Sequence, residues 1–576
     1  MTKRAAAAAA DQVTKARVLS GSGIIRPYSP VKLAKLALTL KSWGVGPAGG
    51  FAALAVRAPD TVGFVDEIGP LTYREIDERA TALADALGDL GVEAGGSVAI
   101  MARNHRGFLD ISLAVAKRGA DLLYLNTAFA GPQLVEVLDR EGPTVLVYDE
   151  EFTELVEKAP DEITRVVAWT DDPGQENTDA ETGVPTLEEL IAKGDPHAEI
   201  KPPESKSRVV ILTSGTTGTP KGAPRNEAGV DAAVSLMSRM PLRRGWTTHI
   251  AAPLFHTWGW AHLALAMLLE SKVVVRRKFD PEGCLETLAE HDCDSLVVIP
   301  VMLQRIMKLP QETLDSYDLS NVKVVAASGS ALPGDLGIEW MDQFGDNLYN
   351  IYGSTEVAYA TVADPVDLRE APGTAGKPPH ATIVKIYDEG DQEVAQGETG
   401  RIFVGNGILF EGYTGGGNKD MIDGLMSSGD VGRFDDFGRL FVEGRDDEMI
   451  VSGGENVFPK EVEDCLTRHD AVDEAAAIGV DDDDYGKRLK AFVVLVDGQD
   501  VSEDDLKAHV KSNLARYKVP REIVFMDELP RNSTGKLLKR ELEEDGEDAK
   551  SEKDDGADDS DESDESGDTS DEAGKE

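Results

Sequence analysis

The sequence predicts an α/β protein, in which a large N-terminal region of parallel-rich sheets covered by helices precedes a small mobile α+β domain. Three observations carry that prediction. Short apolar runs recur as "TVLVYDEE", "RVVAWTD", "RVVILTSG", "KVVVRRKFD", "SLVVIPVM" and "VKVVAASGS" between helical segments, and strands alternating with helices argue for parallel sheets. At 576 residues the chain exceeds what one hydrophobic core usually serves, so several subdomains are expected. Glycine-rich breaks at "EGYTGGGNKD" and "VSGGENVFP" mark loops, and "GRLFVEGRDDEMIV" between them reads as a connector with a short strand.

In chain order, residues 1–50 form an N-terminal extension in which "VKLAKLALTLK" reads as a packed helix. The alternative is a basic amphipathic helix at a membrane surface, which leaves peripheral membrane contact open. Residues 51–446 form the large domain. Its first helix is signalled by Thr72 and Glu75 at capping-box spacing, with Ile76, Ala80, Leu83, Leu87 and Leu90 on one face until Gly91 stops it. A short strand over 98–101 follows. Residues 447–541 form the small domain, and residues 542–576 an acidic tail with almost nothing apolar to bury, expected to be disordered. No internal repeat is present.

Charge narrows the partners. The formal net charge is −46, and residues 541–576 hold 19 Asp and Glu against 3 Lys, so −30 remains on the first 540 residues. Nucleic acid is excluded as a partner, because phosphate backbones require basic stripes. An acidic surface of this extent resembles that of a halophilic protein, in which salt screens the self-repulsion, the alternative being an ordinary acidic bacterial enzyme. No apolar run approaches the roughly 18–20 residues of a bilayer crossing. "MTKRAAAAAADQ" lacks the features of a secretory signal. Cys284, Cys293 and Cys465 are too few and too scattered for a disulfide framework or a zinc site, and read as buried thiols of a cytoplasmic enzyme.

The chemistry concentrates first in "LTSGTTGTPKG" (212–222). After the strand "RVVILT", this loop offers unobstructed backbone N–H groups, five hydroxyls and the Lys221 ammonium, a phosphate cradle. It is not a Walker A loop, because Pro220 precedes the lysine and Gly222 follows it.

That string resembles the signature loop of the adenylate-forming (AMP-binding) superfamily, and further motifs follow in family order. They are "NIYGSTE" (350–356), "SSGDVGRFDDFGRLFVEGRDDEMIVSGGENVFPKEVE" (427–463) and "PRNSTGKLLKREL" (530–542). The resemblance runs from about residue 50 to 541. It implies an ATP-dependent acid–thiol ligase that makes an acyl-adenylate and passes the acyl group to CoA, with ATP, Mg²⁺ and CoA bound. Thr213, Ser214, Gly215, Thr216, Thr217, Gly218 and Lys221 would wrap the β- and γ-phosphates. Glu356 would hold Mg²⁺ as a hard oxygen ligand, Thr355 would meet the α-phosphate, and Lys536 would bridge that phosphate and the carboxylate. Asp430 and Arg445 match ribose contacts, Ser328 and Gly329 in "SGSALP" the turn on one adenine face, and Tyr352 the aromatic on the other. Asp447 matches the hinge about which the small domain turns, and Gly453 and Gly454 would line the CoA channel.

The acid itself is read from "APLFHTWGWAHLALAMLL". His256 matches a frequent gate residue, while Trp258, Trp260 and the apolar run after them suggest an extended lipophilic cavity. The string looks closest to medium- and long-chain fatty acyl-CoA synthetases, so a fatty acid is expected. The alternatives are an aromatic acid, or loading of a separate carrier protein. A non-catalytic nucleotide-binding protein would be expected to lack Glu356 or Lys536, and both are present.

Overall fold

The computed structural model describes residues 3–44, 46–129, 131–171, 183–203, 207–213, 221–225, 230–414, 416–446, 450–452, 455–457, 459–482, 486–514, 518–531, 537–539 and 541–542. The expected α/β architecture is present. One sheet has eight strands in the order Thr361–Ala363, Leu348–Tyr352, Val324–Ala327, Ser295–Val298, Thr247–Ile250, Lys272–Val274, Val62–Asp66 and Gly69–Thr72, with antiparallel pairing only at its two ends. The second runs Thr164–Trp169, Val145–Asp149, Ser97–Met101, Asp121–Tyr124, Val209–Thr213 and Lys221–Arg225, parallel except for its last pair. These strands are buried on both faces, which is why they read as unbroken apolar runs. Both sheets share one core, with Ile100 and Leu122 from one and Leu296 and Val325 from the other.

The capping box forms as its spacing predicts. The Thr72 hydroxyl accepts from the Glu75 N–H, the Glu75 carboxylate accepts from the Thr72 N–H at 2.7 Å, and helix Tyr73–Asp89 follows. Ile76, Leu83 and Leu87 are fully buried on its inner face, and Gly91 ends the run at φ +78°.

A third sheet, Ile383–Tyr387, Gly400–Gly405, Leu425–Phe434, Met421–Ile422 and Leu440–Arg445, is antiparallel. The alternation of strands and helices gave no hint of it, although the short strand expected within "GRLFVEGRDDEMIV" is present as Leu440–Arg445, one of its strands. Its core of Ile402, Val404, Met426 and Leu440 also receives Ala223, Val357 and Tyr352, so it packs under the predicted nucleotide motifs. A fourth sheet is built from Ile450–Ser452, Glu455–Val457, Val472–Asp482, Gly486–Leu495 and Glu522–Phe525. Helices Pro459–Leu466 and Glu503–Asn513 contribute Val462, Leu466, Leu506 and Val510 to a separate core against it. The three cysteines are free and buried.

Three helices precede the first sheet: α1 (Lys3–Gly21), α2 (Pro30–Trp43) and α3 (Pro47–Arg57). Ser29 caps α2 and Pro30 starts it. The extension is fastened through Glu270, a buried carboxylate held at φ +51° that receives Arg26 at 2.8 Å, Arg57 at 2.6 Å and Arg244 at 2.7 Å. Burial alone would raise the Glu270 carboxyl, but these guanidiniums hold it below its ordinary range. Further along, Asp11 pairs with His380 at 2.9 Å and Lys15 with Asp231 at 2.9 Å.

Candidate functional site

The predicted phosphate cradle sits at the tip of a hairpin. Strands Val209–Thr213 and Lys221–Arg225 pair antiparallel with Thr213 opposite Lys221, so the backbone at the two ends of the loop is held together. Ser214, Gly215, Thr216, Thr217 and Gly218, like the side chains of Thr213 and Lys221, lie outside the described residues. The hairpin base is stitched to a distant loop. Gly222 N–H donates to the Thr414 hydroxyl at 3.1 Å, and Thr414 N–H returns a bond to Gly222 O at 2.8 Å. A Cβ at residue 222 would stand 2.5 Å from Thr414 Oγ1, so the close approach requires glycine.

"NIYGSTE" leaves the eight-stranded sheet at the end of strand Leu348–Tyr352, and "SGSALP" leaves its parallel neighbour Val324–Ala327 at the same end. Loops at the carboxyl ends of parallel strands are where open α/β sheets bind ligands. Gly353 lets the first loop fold tightly, since a Cβ there would meet Ala358 O at 2.1 Å. The Ser354 hydroxyl accepts from the N–H groups of Glu356 and Val357 at 3.2 and 3.3 Å, turning the chain so that Glu356 faces the cavity.

Glu356 is half-buried, and the Tyr413 hydroxyl donates to its Oε1 at 2.6 Å. Burial alone would raise this carboxyl, yet the hydrogen bonds from Tyr413 and Ser354 and the nearby Lys419 ammonium hold it below the ordinary range. No cluster of three or more metal-ligating side chains occurs among the described residues. One ionised carboxylate suits Mg²⁺, which keeps several waters and shares its remaining positions with substrate phosphates. Glu356 would be the protein's ligand to that ion, and the ion would neutralise phosphate charge.

The predicted ribose and adenine residues come together at the third sheet. Asp430 and Arg445 are register partners on adjacent strands, with Arg445 Nη1 at 3.5 Å from Asp430 Oδ1. The Tyr352 hydroxyl donates to Asp430 Oδ2 at 2.5 Å and lies 3.1 Å from Ser428 Oγ. Burial, then the neighbouring Asp430 charge, raises the Tyr352 phenol well above its usual value, so it remains a donor. Ser328 is buried, and Gly329 turns the chain at φ +100°. Asp430, Arg445, Tyr352, Ser328 and Gly329 line one cavity of ≈ 1390 Å³, with Thr355 and Glu356.

The same cavity continues along helix Thr257–Leu268. His256 stands at its N-cap position without a side-chain capping bond, and burial pushes its imidazole down to about 4, so it is neutral at physiological pH. Trp258 and Trp260 both line the cavity, and Trp258 is fixed by an Nε1–H bond to Val298 O at 3.0 Å. Thr257, Ala261, Ala264 and Leu268 also line it, a single stripe at helical spacing. Ala261 and Ala264 are exposed, so the stripe is a shallow trough open to the cavity. Ten residues of helix correspond to roughly 15 Å.

Asp447, Gly453, Gly454 and Lys536 lie outside the described residues. Around them, Arg531 pairs with Leu537 across the Lys536 loop, and Lys460 and Lys539 line the cavity. Lys308 reaches from the eight-stranded region to Asp473 of the fourth sheet at 2.7 Å. Sequence reasoning missed Tyr413, Thr414 and Lys419, having read "EGYTGGGNKD" only as a break. The signal was an aromatic and a hydroxyl directly before the glycines.

The cavity thus has polar loops at one end and an apolar trough at the other. Comparison with known proteins gives the class. Residues 51–414 match the family model of AMP-binding enzymes, and residues 461–536 that of the AMP-binding enzyme C-terminal domain. The chain belongs to the AMP-binding enzyme family. It is 32% identical to a feruloyl-CoA synthase of Amycolatopsis sp over 479 residues, covering 82% of this chain and 93% of that one. It is 29% identical to a 2-succinylbenzoate–CoA ligase of Geobacillus sp. (strain WCH70), covering 85% and 96%. Among solved structures, the o-succinylbenzoate CoA synthetase of Bacillus subtilis with its acyl-adenylate intermediate superposes with a TM-score of 0.74 at 26% identity, covering 86% of this chain and 97% of that one. These relatives are named for ring-bearing acids, and what the comparisons carry is membership of the superfamily as a whole.

Proposed function

We propose that the protein activates an elongated lipophilic carboxylic acid. The ligase chemistry comes with the family: an acid and ATP give acyl-adenylate and pyrophosphate, and CoA then displaces AMP. What carries the choice of acid is the apolar trough from Trp260 past Ala261 and Ala264 to Leu268, continued by Phe51 and Leu54 of α3. A medium- or long-chain fatty acid fits it, since each buried methylene contributes about 0.8 kcal/mol. A ring-bearing acid is the second reading, favoured by the names of the relatives.

In this reading the 213–221 loop cradles the β- and γ-phosphates, Thr355 meets the α-phosphate, Asp430 and Arg445 hold the ribose, and Tyr352 and the 328–329 turn flank the adenine. Lys536 brings a positive charge to the reacting carboxylate, where charge develops. We place the domain limits at 51–446 and 447–541, with the hinge at Asp447 and the CoA channel beside Gly453 and Gly454. The buried free thiols support a cytoplasmic setting. Pyrophosphate release measured across straight-chain and aromatic acids, with and without CoA, tests the proposal. Higher kcat/KM for acids of roughly six or more carbons than for acetate is expected, each methylene adding binding; acetate as the best substrate overturns it.

A further inference from the structure

The N-terminal extension has a composition unlike the rest of the molecule. The chain carries 105 Asp and Glu, yet the 48 residues from 12 to 59 hold none, against seven Lys and Arg. The family match begins only at residue 51, so α1 and α2 lie outside it. Leu36 is the one buried residue of α2, on the side toward α3. On its other side Val31 is 68% exposed and Leu38 64%, with Ala34, Lys35 and Lys41 also exposed, and at the edge of the helix beside Leu40 Leu33 is 51% exposed. A helix apolar on both sides is normally enclosed. Here one apolar side, carrying two lysines, has no covering element among the described residues.

The inner side has its own role. Leu36 and Leu40 line the same cavity as Trp260, Ala264 and Leu268. One helix therefore has an outer face open to solvent and an inner face on the wall of the acyl trough. The Glu270 cluster keeps it in place, since Arg26 and Tyr28, just before α2, and Arg57, at the end of α3, all converge on that carboxylate.

We propose that α2 is a membrane-docking helix, its outer face seated on the anionic surface of a lipid bilayer and its inner face guiding a lipophilic acid from that surface into the cavity. The chemistry is complementary. Val31, Leu33 and Leu38 enter the acyl boundary while Lys35 and Lys41 meet lipid phosphates. The acidity of the rest of the molecule does not oppose this, because charges beyond roughly 8–10 Å are screened at physiological salt. A second copy of the chain is a poorer occupant, since it would bring another strongly acidic body against the first. The guiding role rests on the lipophilic-acid reading above, whereas docking does not.

The test is cosedimentation of the full chain, without substrate, with vesicles of phosphatidylcholine or of phosphatidylcholine with phosphatidylglycerol. Binding is expected to the second kind. Leu33→Glu with Leu38→Glu should weaken it by about tenfold or more, and Lys35→Gln with Lys41→Gln should remove the preference for anionic lipid. Unchanged thermal melting of the variants shows that the fold is intact. Wild type left in the supernatant, or variants that bind as wild type does, overturns the proposal. So does gel filtration in which the wild type elutes as a dimer that the Leu33→Glu, Leu38→Glu chain cannot form, with no vesicle binding. Turnover separates the two readings: the leucine variant should lose activity on acid dissolved in vesicles and keep it on a water-soluble acid. Vesicle binding together with turnover of water-soluble aromatic acids alone would sustain docking and overturn the fatty-acid reading.

Discussion

The Tyr413 hydroxyl donates to Glu356 at 2.6 Å, while the next residue, Thr414, is bonded in both directions to Gly222 at the base of the glycine-rich loop. One short loop thus fixes both the carboxylate assigned to Mg²⁺ and the hairpin assigned to the phosphates. Preorganised groups lose activity when their support is removed, even if they remain present.

Replacing Tyr413 by Phe removes the donor and keeps the ring. The expected result is a fall of about tenfold in pyrophosphate release, the equivalent of one hydrogen bond to a charged group at about 1.4 kcal/mol. The concentration of Mg²⁺ needed for half-maximal rate should rise in parallel, with thermal stability little changed. A variant with wild-type Mg²⁺ dependence would show that Tyr413 does not position Glu356.

The trough on helix Thr257–Leu268 is lined by its smallest side chains at Ala261 and Ala264. Ala264→Trp places an indole across it while leaving His256, Trp258 and the nucleotide residues untouched. Activity on long acids should drop by about 10² or more, as overfilling a binding path costs several kcal/mol, with short acids retaining theirs. Equal losses on both would place the acid elsewhere in the cavity.

What the sequence made legible followed from local rules. The capping box at Thr72 and Glu75 needs only residues three apart, and the buried parallel strands betray themselves as apolar runs. The nucleotide motifs were readable because each is a contiguous string whose backbone must take one shape. The antiparallel third sheet was not, since its pairing joins Asp430 to Arg445 through a register that no local pattern encodes. Tyr413 was missed for the same reason: its partner lies 57 residues away. The exposed side of α2 was legible only as an alternative, a basic amphipathic helix at a membrane surface, because the segment's leucines and alanines suit a packed helix equally well and the sequence does not say which side has a neighbour.

Acid should destabilise the fold through its buried imidazoles. Burial holds His249, His256 and His262 at about 4 each, below the ordinary value of 6.5. A group whose folded pKa is depressed contributes stability above its unfolded value and loses it as pH falls toward the folded one. Each shift corresponds to about 3 kcal/mol, so the midpoint of urea unfolding should fall steeply between pH 6.5 and 4. His262→Phe should make that fall shallower by one proton; an unchanged slope would show that His262 is not titrating.

Salt should act in the opposite direction. With −30 on the first 540 residues, lowering KCl from about 1 M to about 0.1 M lengthens the screening distance from roughly 3 to roughly 10 Å and lets like charges repel. Melting temperature should fall accordingly, and deletion of residues 545–576 should leave turnover nearly intact. Equal stability at both salt concentrations would argue against a halophilic protein.

The last expectation concerns the order of the two half-reactions. In the proposed mechanism Lys536 must sit over the adenylate while it forms, yet the CoA thiol must later reach the same carbonyl, and both approaches cannot be open together. Lys460 and Lys539 of the small domain line the cavity, and the Lys308–Asp473 ion pair at the surface is the kind of contact that breaks at little cost. Rotation about Asp447 would exchange the Lys536 loop for Gly453 and Gly454. Lys536→Ala should then slow adenylation by about 10² or more, as loss of a transition-state charge contact does, and spare thioester formation from presynthesised acyl-adenylate. Asp447→Pro should do the reverse, since a fixed φ locks the hinge. Pyrophosphate release and thioester formation, measured separately on each variant, decide the matter. Equal losses in both steps on both variants would reject domain alternation and leave Lys536 a structural cation.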